Sequence, residues 1–141
     1  MKVSELAKTF GVNKDTIRYY TRIGLLRPLK SVENGYKFYT ITEQNRFKFI
    51  LSARDLGFSI EDIKQILSES DVGKAPCPTV RVLIEKRLHE TEQRFIEMTK
   101  LRNRMRAAMV TWKNRPDKAP SNNVICHLID NYQLPKNGKQ K

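Results

Sequence analysis

Two groups of side chains in this chain have the types and spacing to do chemistry. The first is a run of cations and hydroxyls near the amino end, Lys14, Thr16, Arg18, Tyr19 and Arg22, followed beyond Pro28 by Lys30, Tyr36, Lys37 and Tyr39. Such residues supply donors for phosphate oxygens and for base edges. The second group is the two cysteines, Cys77 and Cys126, with His127 beside the latter. A thiol whose pKa is lowered by a neighbour such as His127 or Arg115 reacts with oxidants and electrophiles, whereas an isolated free cysteine is ordinarily a small buried hydrophobe. No Ser/His/Asp set, glycine-rich phosphate loop or spaced carboxylate pair stands out, so an enzyme is not expected.

The elements that must position the first group follow from periodicity. Val3, Leu6, Ala7 and Phe10 share one face of a helix that Gly11 stops. Asn13 has the chemistry to cap a second helix, Lys14 to Ile23, with Ile17 and Tyr20 turned inward and the cations and hydroxyls outward. This is a helix-turn-helix with a recognition helix in outline. Leu29 to Tyr39 reads as a hairpin, a basic wing turning at Asn34-Gly35, where both residues tolerate the positive φ angles of a type I′ turn. Thr42 is placed to cap a third helix with Asn45 at its third position, and Phe47, Ile50, Leu51 and Arg54 follow at helical spacing. Gly57 ends that helix and Ser59 caps a fourth, whose buried side is Ile60, Ile63, Ile66 and Leu67, with Phe49 and Phe58 expected in the core.

Residues 68–78 lack periodicity and contain two prolines and a glycine, which marks a connector. Thr79 to Lys113 is free of Gly and Pro, enough for a helix roughly 50 Å long. Ile84, Leu88, Thr91, Phe95, Met98, Arg102, Met105, Met109 and Trp112 fall at alternating four- and three-residue steps along it. That is a heptad seam with two polar interruptions, the pattern of a coiled coil between two copies of the chain. The chain breaks over Arg115–Asn123, a short apolar helix is expected over Val124–Asp130, and the tail from Pro135 is basic and reads as disordered. Five segments result: a DNA-binding head over 1–70, a connector over 71–78, a dimerisation helix over 79–113, a loop and short helix over 114–132, and a tail over 133–141.

Charge supports a polyanionic partner. Twenty-seven Lys and Arg against fifteen Asp and Glu give +12, and residues 1–56 alone hold eleven basic against five acidic residues. No apolar run is long enough to cross a bilayer and no signal-peptide core opens the chain, so a cytoplasmic location with reduced cysteines is expected.

The motifs Thr16-Ile17-Arg18-Tyr19-Tyr20, Gly24-Leu25-Leu26, Asn34-Gly35-Tyr36-Lys37-Phe38-Tyr39 and Ala53-Arg54-Asp55-Leu56-Gly57-Phe58-Ser59, in that order, resemble the MerR family of bacterial transcription regulators. The resemblance covers residues 1 to about 130. It implies a mainly α chain: a winged helix-turn-helix head, a long antiparallel dimerisation helix and a short C-terminal effector loop and helix. It places DNA contacts at Lys14, Thr16, Arg18, Tyr20, Tyr36, Lys37, Tyr39 and Arg54. A dimer interface is expected through Ile84, Leu88, Phe95, Met98, Met105, Met109 and Trp112.

Cys77 and the run Cys126-His127-Leu128-Ile129 are similar to the branch of that family that senses divalent heavy metals, with one thiolate from the start of the long helix and others from the partner's terminal loop. Thiolates suit zinc, the first choice here, as well as cadmium, lead and mercury. The family's metal loop has a further cysteine about nine residues before Cys126, where this chain has Asp117. Asp117 or His127 would then complete the site, or no metal binds. By the resemblance, the dimer sits on a palindromic promoter, meets RNA polymerase there, and activates transcription by distorting the DNA when the effector binds. An oxidant or electrophile acting on a thiol, and a DNA-architectural protein without any effector, are the alternatives.

Overall fold

The computed structural model describes residues 1–134, so the basic tail expected from Pro135 lies outside the described residues. Eight elements follow in order: helices α1 (Val3–Phe10) and α2 (Lys14–Arg22), strands β1 (Leu29–Lys30) and β2 (Lys37–Phe38), and helices α3 (Ile41–Asp55), α4 (Ile60–Asp71), α5 (Cys77–Trp112) and α6 (His127–Asp130). The chain divides into two compact units, Met1–Thr91 and a second beginning at Glu92.

In the first unit, local chemistry forms the elements where periodicity places them. Gly11 closes α1 with φ 67°, a left-handed backbone that glycine adopts without a Cβ clash. Asn13 Oδ1 accepts the Thr16 amide at 2.9 Å and caps α2. Leu6, Ile17, Leu26, Phe47, Ile50, Ile63 and Ile66 are all but fully buried in one core. The rings of Phe10 and Phe47 pack edge to face within it, their centroids 5.2 Å apart. That burial of large side chains, each contributing about 1.5–3 kcal/mol, fixes α2 against α1, α3 and α4.

Several expectations are corrected. The wing does not turn through a two-residue type I′ turn, because only Gly35 takes positive φ there and Asn34 does not. A longer loop forms instead: the Ser31 amide donates to Tyr36 O at 2.8 Å and the Gly35 amide to Ser31 O at 3.0 Å. Asn34 contributes through its side chain, accepting the Tyr36 amide at 3.0 Å. Helix α3 is capped two residues earlier than expected, by Thr40 rather than Thr42. Glu43 then takes the third position and uses its carboxylate on the Arg27 amide, at 2.6 Å. Phe58 is buried, as expected, whereas Phe49 is exposed on the outside of α3. Helix α4 continues to Asp71 and α5 already begins at Cys77, so the irregular connector is shorter than the composition suggested.

The first turns of α5 belong to the head. Val80, Leu83 and Ile84 pack against its core, so Ile84, expected at a dimer seam, is at least partly committed inside its own chain. Asp62, only 5% exposed, caps α4 by accepting the Ser59 amide at 3.0 Å and meets Arg87 Nε at 2.8 Å. Arg87 also reaches Glu90 at 2.7 Å, and the Thr79 hydroxyl donates to the Glu69 carboxylate. In the second unit, the Ser121–Val124 bridge precedes α6, which is one turn long and begins at His127 rather than Val124.

Candidate nucleic-acid interface and the two cysteines

Helix α2, the start of α1 and the wing enclose a groove of about 700 Å³ in the first unit. Lys2, Lys14, Arg18, Arg22 and Lys37 line it, with no carboxylate among the lining residues. A groove lined by one sign of charge concentrates counter-charged ligand, and a phosphate backbone is the matching polyanion. Within it Lys2 Nζ stands 5.5 Å from the centre of the Tyr36 ring, on the wing. On α2 the Arg22 guanidinium lies 5.4 Å from the Tyr19 ring, an arrangement in which each ring steadies a cation. Asp15 approaches Arg18 at 3.4 Å on the exposed face, a pair worth little in water and one that a phosphate can displace.

The residues expected at this surface divide into two sets. Lys14, Arg18, Tyr36 and Lys37 are exposed and converge on the groove. Thr16 is half-buried at the first turn of α2, and its hydroxyl hydrogen goes to Asn13 Oδ1 at 3.0 Å, leaving its oxygen as an acceptor. Tyr20 and Tyr39 are in the core, a correction to their expected role as direct contacts. Tyr39 is 1% exposed. The Thr21 hydroxyl donates to Ile17 O at 2.8 Å, so in the 2.8 Å contact between Tyr39 and Thr21 it is Tyr39 that donates. Tyr39 thereby ties the root of the wing to the recognition helix, and its backbone amide donates to Met1 O at 2.6 Å. Arg54 remains exposed, with one guanidinium nitrogen donating to Phe58 O at 2.8 Å across the corner between α3 and α4.

Two contributors escaped the sequence reading. Lys2 enters the groove from the start of α1, and only the fold brings that end beside the wing. Arg46 donates to Leu25 O at 2.7 Å and holds both Asp71 oxygens, at 2.8 and 3.2 Å. It thus fastens the segment after α2 to the end of α4. The hydrogen bonds from Arg46 hold the Asp71 carboxyl below the usual carboxylate range; desolvation opposes them, and the charges of Arg46 and Arg27 add to the lowering. Helical periodicity marks Arg46 only as another surface cation.

Cys77 is exposed at the first residue of α5, in the first unit. Cys126 is half-buried at the start of α6, in the second unit, where the Ile125 and Cys126 amides both donate to Asp130 Oδ2 at 2.8 Å. His127 Nε2 is 3.2 Å from Ala119 O, and Asp117 is exposed. Among the described residues no three His, Cys, Asp or Glu side chains gather closely enough to hold a metal ion. One chain's described residues therefore do not assemble the expected metal site.

Comparison with known proteins agrees with this geometry. Residues 1–70 match the MerR HTH family regulatory proteins, and residues 44–108 match the family described as MerR, DNA binding. The HTH-type transcriptional regulator ZntR of Escherichia coli (strain K12) is 38% identical over 98 residues, covering 69% of this chain and 70% of the relative. A probable heavy metal-dependent transcriptional regulator of Haemophilus influenzae (strain ATCC 51907 / DSM 11121 / KW20 / Rd) is 33% identical over 101 residues, covering 72% of this chain and 79% of the relative. Among solved structures, the EcmrR–DNA complex in EcmrR-RPo, determined by cryo-EM, superposes with a TM-score of 0.64 at 28% identity, covering 82% of this chain and 40% of that one. A winged helix-turn-helix with a cationic groove, carried on a long helix and matched by these relatives, identifies the chain as a DNA-binding transcription regulator of the MerR family.

Proposed function

We propose that the protein acts as a homodimer joined along α5, that its two heads read the two halves of a palindromic promoter, and that a thiophilic divalent metal ion switches transcription by changing how the heads hold the DNA. One observation carries the reading. Helix α5 runs 36 residues with none of them buried. Leu88, Phe95, Met98, Met105 and Met109 stand exposed at heptad spacing along it, Phe95 by 72%. An apolar stripe of this length is costly in water and matches a second copy of itself.

The thiolates of Cys77 and Cys126 would hold the metal, one from each chain, with Asp117 or His127 of the second unit as the harder ligand. Zinc, cadmium, lead and mercury suit such donors, and a relative named as heavy metal-dependent supports the class. A ligand shifts a conformational equilibrium only by its differential affinity for the two states. Cys77 is well placed for that, because the turns of α5 that follow it are packed on the head, Val80, Leu83 and Ile84 against its core and Arg87 against Asp62 of α4. A group gripping Cys77 acts on the helix that carries the head, and hence on promoter geometry and the access of RNA polymerase.

The test has two parts. Sedimentation should give a dimer that Phe95→Glu dissociates. Competitive metal titration of the reduced protein, read by thiolate absorption, should show stoichiometric binding lost in Cys77→Ser and in Cys126→Ser. A mixed dimer of one Cys77→Ser chain and one Cys126→Ser chain should keep one site, which an intrachain site cannot do. Absence of metal binding with both thiols open to alkylation would overturn the metal reading and favour a thiol response to oxidants or electrophiles.

A further inference from the structure

The second unit holds a recess that the DNA and metal readings do not use and that the dimer reading touches only along one wall, at Met105 and Trp112. Two adjoining grooves of about 330 and 320 Å³ lie between the end of α5 and α6, and they share Arg104, Ala108, Trp112 and Tyr132. Sites for small organic ligands start at about this volume, roughly 300 Å³. The larger groove adds Ala107 and Arg115. Alanines on the helix side leave the space open, and Trp112 and Tyr132 supply flat apolar walls.

Its charge is unbalanced. Neither Arg104 nor Arg115 forms an ion pair among the described residues. Asp130, the acidic residue on α6, has an oxygen committed to two backbone amides. Residues 92–134 hold eight Lys and Arg against four Asp and Glu. A guanidinium is a planar fork suited to a carboxylate, and its face also stacks on aromatic groups.

The larger groove opens mostly away from the seam of the proposed dimer. At about 100° per residue, Arg104, Ala107 and Thr111 lie on the side of α5 opposite Arg102 and Met109, which belong to the apolar seam. Trp112 stands at the edge of that seam and is shared with it, so pairing leaves the Arg104, Ala107 and Thr111 side of the larger groove facing away from the second copy.

We propose that this recess binds a small planar aromatic anion, of the aromatic carboxylate class, with the ring against Trp112 and Tyr132 and the carboxylate held by Arg104, while Arg115, eleven residues further along, adds positive potential at the other end of the larger groove. The site is separate from the proposed thiolate site, and its occupancy requires neither metal nor DNA. Trp112 is the chain's one tryptophan, so its fluorescence reports on this recess once sedimentation shows that the ligand leaves the oligomeric state unchanged.

The experiment titrates the full-length reduced protein with 4-nitrobenzoate, an aromatic carboxylate that quenches indole fluorescence, and compares the neutral 4-nitrobenzyl alcohol and inorganic phosphate. The expected result is saturable quenching by the carboxylate, with the alcohol at least about tenfold weaker, as the loss of a charge-assisted contact implies. Phosphate should compete poorly, because it has no ring. Arg104→Gln should weaken binding by about tenfold, while Lys113→Gln, which removes an equal charge outside both grooves, should change it by less than about twofold. Circular dichroism of Arg104→Gln confirms that the helix persists. Linear collisional quenching, equal quenching by the alcohol, equal competition by phosphate, or equal weakening by both substitutions would each overturn the proposal. Failure of this titration leaves the metal and DNA tests untouched.

Discussion

Replacing Lys37 by Gln separates DNA binding from folding, because the two should move in opposite directions. Lys37 lies on β2 directly opposite Lys30, in an antiparallel register, and both are exposed. Like charges facing each other across a ladder destabilise it, by about 0.2–1 kcal/mol, so removing one should leave stability unchanged or slightly raised. Lys37 is also one of the five cations lining the groove. If each cation neutralises one phosphate, the slope of log K against log salt should become shallower by ~0.9 per head. In a dimer with both heads engaged the change is ~1.8. Relative to binding at molar salt, that amounts at a tenth of that salt to roughly 8-fold weaker binding for one head and roughly 60-fold for two. The assay is a fluorescence-anisotropy titration of a duplex across a range of salt, using the protein's own upstream DNA and an unrelated duplex. The loss should appear on both, since a phosphate contact carries no sequence information. An unchanged slope with unchanged stability would refute the groove as the phosphate site. A lowered melting temperature would instead mean that Lys37 matters to the wing in a way its exposure does not suggest.

Arg87→Ala should destabilise the protein by about 3 kcal/mol in urea unfolding, because it strands the Asp62 carboxylate in the core; the figure is taken low in that range since Arg87 is itself 21% exposed. The double variant with Asp62→Asn should lose less than the sum of the single losses, and strict additivity would show that the pair is not coupled. Tyr39→Phe should cost about 1 kcal/mol through the lost bond to Thr21, whereas Tyr36→Phe should leave stability untouched. Equal effects on unfolding would contradict the burial difference between the two rings. Asp71 has a folded pKa below its unfolded one. Its contribution to stability is therefore complete above the ordinary carboxylate value of ~3.9 and is lost as pH falls through the depressed folded value. Asp71→Asn should lower the urea midpoint at neutral pH and flatten its decline below about pH 4, and parallel acid limbs for the two proteins would sink the assignment.

By itself the sequence determined most of the elements, because their signals are local. Asn13, Ser59 and Gly11 act on amides and carbonyls within a turn of themselves, and the apolar period of α1, α2 and α4 repeats every three or four residues. The absence of Gly and Pro from residues 79–113 was enough to call for one long helix, and the structure extends it only to Cys77 at its start. The exposed cations of the recognition helix and wing were legible for the same reason. Tertiary structure decided what depends on contacts between distant residues. Tyr36 and Tyr39 fall on opposite faces of the alternating wing, but alternation does not say which face is buried; one is 60% exposed and the other 1%, because it is Tyr39 that meets Thr21 of α2. Asn34-Gly35 has the composition of a tight turn, but closure from Ser31 to Tyr36 made a wider loop. Nothing local marks Arg46 and Arg87 as paired; folding brings Asp71 and Asp62, each 25 residues away in sequence, against them. Burial and charge pairing are properties of the neighbours that folding supplies, and no periodicity along the chain encodes which neighbour that will be.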